Sequence, residues 1–219
     1  MLRSFKDLLG FAIRATDGRV GTLSDVYFDD ETWLVRYCVI DTGRWLTGRH
    51  VLAGSRPLSV LDSTRRELWV RLSRTEVRRS QAAGTDKPVS KQRSAAVMSS
   101  LQRLVPRRGP DSSALSSRIA ASHDRHLRSC NAVLGHRLIG SDARIGWVDD
   151  YLIDDKSWSV RHLIVDTGDN VSAGPRVLVA PNCIDKISWA DAAISVNLTR
   201  AAVATAPGYQ PAEEIVPFT

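Results

Sequence analysis

Cysteine is scarce in this chain. Only Cys38, Cys130 and Cys183 occur in 219 residues, an odd number set far apart, so neither a disulfide framework nor a zinc ligand set is encoded. Long uncharged apolar runs are missing too. The opening stretch MLRSFKDLLGFAIRATDG interrupts its apolar patch with Lys6, Asp7 and Arg14, unlike a signal peptide or a membrane span. No such run follows, so the expected location is the cytoplasm, with the inner-membrane face as a peripheral second setting and no transmembrane segment. The chain also lacks a glycine-rich phosphate loop, a nucleotide fingerprint and a Ser-His-Asp arrangement. These gaps predict no enzyme: no catalytic residues, no cofactor and no bound metal. His123 and His126 have a spacing that suits a metal on one helical face, but no companion ligand stands near them. They are expected to be solvent-exposed.

What the chain does have is a repeat. Shifted by 125 positions, Leu9 to Gly43 aligns with Leu134 to Gly168 without a gap, and 14 of the 35 positions are identical. The clearest part is DDETWLVRYCVIDTG at 29–43 against DDKSWSVRHLIVDTG at 154–168. After DTG the offset becomes 126, matching Val51-Leu52 to Val177-Leu178 and Leu72-Ser73-Arg74 to Leu198-Thr199-Arg200. A unit of this length, present twice, is a small domain duplicated in tandem. Cys38 matches Leu163, which makes it a small core hydrophobe rather than a nucleophile.

The net charge of +6 is uneven. Residues 1–82 hold 14 Lys/Arg against 10 Asp/Glu, residues 83–125 hold 8 against 3, and residues 126–219 hold 8 against 11. An acidic partner, RNA or an anionic membrane surface, would therefore prefer residues 1–125. The stretch 83–125 has no aromatic residue and is rich in Ser, Ala, Arg and Lys, a composition that cannot offset its ordering entropy. It reads as a flexible basic connector, in which Val97, Leu101 and Leu104 could make a short amphipathic helix.

Each copy alternates as strands do. Asp17-Gly18 marks a hairpin, which Ala143 cannot copy in the second repeat, so a different turn is expected there. Apolar runs from Trp33 to Ile40 and from Trp158 to Val165 suit central strands. About six short strands per copy predict a small closed barrel, since closure removes exposed edges. Ser73-x-x-Glu76 is a capping box for a terminal helix; in the second copy Thr199 can cap, but Ala202 replaces the glutamate.

Gly10, Asp17-Gly18, Gly21, Asp25, Asp29-Asp30, Trp33, Val35-Arg36-Tyr37, Asp41-Thr42-Gly43 and Val51-Leu52, with their partners from Gly135 to Leu178, resemble the PRC-barrel family. The resemblance covers roughly residues 5–81 and 128–207, and the whole chain is similar to bacterial proteins with two such barrels. It implies an all-β chain of two tandem closed β-barrels, each ending in a short helix. The domains would be 1–82 and 126–207, with the connector at 83–125 and a disordered tail at 208–219. The best-known settings of the family are the cytoplasmic domain of a photosynthetic reaction-centre H subunit and the C-terminal domain of a ribosome maturation factor. The resemblance thus implies a non-catalytic interaction or scaffold protein with a protein partner. An RNA-processing or ribosome-assembly factor and an accessory of a quinone or photosynthetic electron-transfer complex are the alternatives.

The residues written twice are Asp25, Trp33, Arg36 and Asp41, matched by Asp150, Trp158, Arg161 and Asp166. Asp29-Asp30 and Asp154-Asp155 sit where the chain reverses, so turn chemistry is expected of them. Strand alternation places Asp25 with Leu23 and Tyr27, and Arg36 with Leu34, Cys38 and Ile40. The expectation is that Asp25 pairs with Arg36, and Asp150 with Arg161, as partly buried ion pairs that fix hairpin register.

Overall fold

The computed structural model describes residues 1–46, 48–56, 58–80, 125–168, 172–206 and 208–210. The connector, apart from Arg125, and the tail beyond Gln210 lie outside the described residues. Two compact units form: Met1–Val133 with Ile153–Val160, and Leu134–Leu152 with Arg161–Thr219. These units do not follow the repeat boundaries. The start of the second repeat, and the bend in its middle, belong to the first unit.

In the first unit, β1 (Leu2–Ser4) enters a helical turn, α1 (Phe5–Leu8), whose Asp7 N–H is capped by the Ser4 hydroxyl. Strands β2 (Ala12–Ala15), β3 (Gly18–Asp29), β4 (Val35–Asp41), β5 (His50–Gly54), β6 (Leu58–Asp62) and β7 (Glu67–Val70) follow, then helix α2 (Arg74–Arg79). The sheet runs β5-β4-β3-β2-β7-β6, antiparallel except where β2 and β7 lie parallel. A further strand, β8 (Leu127–Ser129), pairs antiparallel with the end of β3 and leads into a helical turn, α3 (Cys130–Val133). Phe5, Ile13, Tyr27, Phe28 and Ile40 are wholly buried. Cys38 is buried among them, and that burial, with the Asp25 charge, pushes its thiol pKa up to about 12. It is inert packing material, as its match to Leu163 suggests.

The second unit repeats this order with β9 (Arg137–Ile139), β10 (Arg144–Asp154), β11 (Ser159–Asp166), β12 (Arg176–Val179), β13 (Ile184–Ser188), β14 (Ala193–Val196) and helix α4 (Arg200–Ala204). The sheet runs β12-β11-β10-β9-β14-β13, and β9 lies parallel to β14 as β2 does to β7. Leu138, Ile145, Leu163, Ile164 and Ile194 fill its core. The tail expected to be disordered from residue 208 is engaged at its start, since Gly208 bridges Val177 and the Tyr209 N–H bonds the Arg176 carbonyl at 2.8 Å.

Neither sheet closes, which corrects the closed-barrel expectation. Among the described residues the end strands β5, β6 and β13 pair only inward, and β12 adds only the Gly208 bridge. At the junction of β5 and β6 the Ser55 N–H returns to the Arg36 carbonyl, and the Leu58 N–H to that of Ser55. A register shift between Leu58 and Leu61 then turns β6 along β7. These bonds and the shift carry the chain from β5 to β6 without pairing the two strands. Short strands and turns, which suggested closure, serve an open sheet equally well.

The turns follow their residues. Ala15 pairs with Gly18 across a two-residue hairpin, whereas the second copy needs the longer Gly140–Ala143 loop, closed by the Gly140 N–H on the Ala143 carbonyl. Both halves of the Ser73–Glu76 capping box are present, while Thr199 caps α4 through the Ala202 N–H alone. Asp17 and Asp142 add a second tether, accepting the backbone N–H of Arg74 at 2.7 Å and of Arg200 at 2.9 Å.

Candidate functional site

The repeated aspartates divide by duty. The Asp29 Oδ1 accepts the backbone N–H groups of Glu31 and Thr32, and Asp154 accepts the Lys156 N–H and the Ser157 hydroxyl, which is the turn chemistry their position predicts. Burial pushes the Asp29 pKa up, but the Thr32 and Glu31 donors and the Arg36 charge outweigh it and hold the carboxyl below its ordinary range. Trp33 and Trp158 close these bends at φ 58° and 50°, each returning its N–H at 2.8 Å to Asp29 or Asp154. The two bends meet inside the first unit. The Val35 N–H bonds the Trp158 carbonyl at 2.7 Å, and the Val160 N–H bonds that of Trp33 at 2.8 Å.

The expected ion pair of Asp25 with Arg36 is replaced. Arg36 Nη1 lies 3.0 Å from Asp29 Oδ2, and its side chain is 44% exposed. Asp25 instead is buried under a hydrogen-bond set drawn from Val26, Ser129 and Asn131. The cause is the register of β3 on β4. Register shifts between Leu23 and Asp25 and between Tyr27 and Phe28 break the two-residue alternation; the ladder sets Asp25 against Val39, and Arg36 falls in the second shift, beside Tyr27 and Phe28. In the second copy Asp150 is likewise buried, accepting the Tyr151 N–H, while Arg161 stands at an exposed position.

Asp25 belongs to a seat for β8. Tyr27, Phe28 and Asp29 pair with Ser129, Arg128 and Leu127. The Ser129 hydroxyl donates to Asp25 Oδ2 at 2.5 Å, the Asn131 N–H to Oδ1 at 3.1 Å, and Arg128 Nη2 to Asp30 Oδ2 at 2.5 Å. Leu127 completes a cluster with Tyr27, Val39 and Leu52. The second Asp of each bend therefore anchors a strand, a duty beyond turn chemistry. Asp155 does the same for the N-terminus: its N–H bonds the Met1 carbonyl at 3.0 Å, as the Asp30 N–H bonds that of His126, and its carboxylate holds Arg3 at 3.2 Å. The signal for this seat was in the sequence, because Leu2-Arg3-Ser4 and Leu127-Arg128-Ser129 are identical at the same 125-residue offset.

A double-mutant cycle tests the seat. Asp25→Ala leaves the buried Ser129 hydroxyl and Asn131 N–H without their acceptor and is expected to cost about 3 kcal/mol in the full chain. Ser129→Ala alone should cost about 1–2 kcal/mol, and the pair should fall short of additivity by roughly 1 kcal/mol or more. Additive unfolding free energies would contradict the shared bond.

His126, expected to be a solvated connector residue, is half-exposed and paired. Its Nδ1 lies 2.9 Å from Asp30 Oδ1 and its Nε2 3.5 Å from Glu31 Oε1. The Asp30 hydrogen bond raises its pKa, against desolvation and with help from the charges of Glu31, Asp30 and Asp29. A raised histidine pKa stabilises the fold below the unfolded value near 6.5, and that contribution is lost as pH rises through the folded value. Thermal stability is therefore expected to fall above pH 6.5 more in the wild type than in His126→Gln. Parallel pH profiles would contradict the pairing.

Asp41 and Asp166, the start of the repeated DTG, sit at a different place. Asp41 Oδ1 accepts the Gly43 N–H at 2.9 Å, and Asp166 Oδ1 accepts those of Gly168 and Gly174 at 2.8 and 2.7 Å. The threonine hydroxyls close the loops onto the Arg49 and Pro175 carbonyls at 2.6 and 2.9 Å. Beside each turn opens a cavity. The first, of about 320 Å³, is walled by Arg19, Gly21, Asp41, Thr42 and Arg74; the second, of about 300 Å³, by Arg144, Ile145, Thr167, Gly168 and Arg200.

Among the described residues no helix is long and apolar enough to cross a membrane, and no three or more His, Cys, Asp or Glu side chains gather as a metal site would require. No curated protein matches the chain significantly. The family comparison does find a match, to the PRC-barrel domain, over residues 2–70. That span holds the first sheet from β1 to β7, with its bend and its DTG turn. The match places a PRC-barrel domain at residues 2–70 of this chain.

Proposed function

We propose that the protein is a non-catalytic scaffold whose sheets bind extended segments of a protein partner, and that residues 126–207 form a second PRC-barrel-like domain. The observation that carries this reading is the β8 seat. There the sheet of the first unit takes up a three-residue strand about 100 residues distant in sequence, through main-chain pairing plus the Asp25 and Asp30 anchors. Strand addition is a general mode of peptide recognition, with backbone bonds giving affinity and side-chain anchors giving choice. The end strands β5, β6 and β13 offer the same chemistry to other chains. The partner and the cytoplasmic setting are part of the proposal.

The test is affinity capture with the tagged full-length chain from its native cells, with and without nuclease, read by mass spectrometry. A protein that stays bound after nuclease treatment is the expected result. Recovery of RNA with proteins that nuclease releases would overturn the reading in favour of an RNA-processing or ribosome-assembly factor.

A further inference from the structure

We infer that each sheet carries one binding site for a phosphate group, formed by the cavity beside its DTG turn, so that the chain holds two equivalent sites. Arg19 and Arg74 line the first cavity, and Arg144 and Arg200 line the second. These are matched positions of the duplication, at offsets of 125 and 126.

The other repeated residues at or beside each cavity have structural work. Gly21 and Gly146 let β3 and β10 approach the Asp41 and Asp166 carbonyls, where a Cβ would collide with the backbone. The Asp-Thr-Gly residues build the turn and close the loop behind it. Neither duty calls for a guanidinium. Arginine nevertheless stands at both matched positions, although the two copies agree at only 14 of 35 positions between Leu9 and Gly43, and residues 126–219 are net acidic, with 8 Lys/Arg against 11 Asp/Glu.

The fold also fixes where these side chains start. Backbone bonds from Arg74 to Asp17 and from Arg200 to Asp142 tie the first residue of each terminal helix to the neighbouring turn. The Arg74 stem passes over Gly18, near enough that a Cβ there would lie 3.6 Å from its Cδ.

Two guanidiniums on one cavity select the ligand chemistry. A guanidinium presents a rigid planar fork of donors that matches phosphate or carboxylate oxygens two at a time. A planar carboxylate offers one edge for a bidentate fork, whereas a tetrahedral phosphate dianion offers more than one such edge. Cavities of about 320 and 300 Å³ hold a phosphate with a small organic group attached.

The experiment is calorimetric titration of the full-length chain with inorganic pyrophosphate at low ionic strength. Two sites per chain are expected. Arg74→Gln and Arg200→Gln keep the backbone tethers, and each should reduce the stoichiometry from two to one by weakening its own site at least tenfold. The double variant should bind neither equivalent, while Arg65→Gln, whose side chain is 77% exposed, should leave both sites intact. Thermal melts of each variant establish that it is folded. Parallel titrations with glycerol phosphate and adenosine monophosphate identify the source of the phosphate: equal affinities mean that the phosphate alone is read, and tighter nucleotide binding means that the base adds contacts. Absence of saturable binding in the wild type, or an equal loss in Arg65→Gln, would overturn the inference.

Discussion

A fragment of residues 1–82 is expected to lose most of its stability relative to the first unit of the full chain, and with it a sharp unfolding transition. The repeat boundary makes this fragment look whole, since it contains six paired strands and the terminal helix. The structure shows what it lacks. Leu127, Cys130 and Val133 are at most 1% exposed, and burying Leu and Val side chains contributes about 1.5–3 kcal/mol each. Without Leu127 the cluster of Tyr27, Val39 and Leu52 opens to water. Asp25, 7% exposed, would lose the Ser129 and Asn131 donors. The combined loss, roughly 4 kcal/mol or more, approaches the whole stability of a small domain. Urea unfolding followed by tryptophan fluorescence would show it as a broad, early transition.

Gly21→Ala in the full chain is expected to be severely destabilising, by about 3 kcal/mol or more, because the added methyl would overlap the Asp41 carbonyl and press on Ile40 Cγ2. The obstacle is backbone, which a rotamer change cannot clear. Relief requires β3 and β4 to part where Thr22 pairs with Asp41. Gly146→Ala should behave alike, since its methyl would meet the Asp166 carbonyl in the second sheet. Equilibrium unfolding of both variants checks this, and a change below about 1 kcal/mol, the scale of a glycine-to-alanine entropy effect, would contradict the close approach.

Much of each sheet was legible because its signals are local. The Asp17-Gly18 hairpin, the Ser73–Glu76 capping box and the Asp29 and Asp154 turns each rest on residues a few positions apart. The alternation that proposed the Asp25–Arg36 pair is local as well, but it assumes an unbroken register. The bulges near Ser24 and Arg36 carry no glycine or proline to announce them. Closure of the barrel could not be read from strand count, since it depends on hydrogen bonds between the two end strands. The β8 seat lies in contacts more than 90 residues apart, such as His126 with Asp30 and Ser129 with Asp25. Only the duplicated Leu-Arg-Ser triplet pointed to it. The arginines of the two cavities were visible as repeated letters, yet their convergence on the DTG turn needed the helix tethers that the structure supplies.

The most direct test of the claim that a segment of the second repeat completes the first unit is an add-back titration. Fragment 1–82 is unfolded in urea with increasing amounts of a synthetic peptide of residues 126–134, and with a control peptide carrying Arg128→Glu and Ser129→Ala. The account predicts that the native peptide raises the unfolding midpoint saturably and sharpens the transition, and that the control does neither. A fragment as stable alone as the first unit of the full chain, with a midpoint unmoved by the peptide, would contradict it.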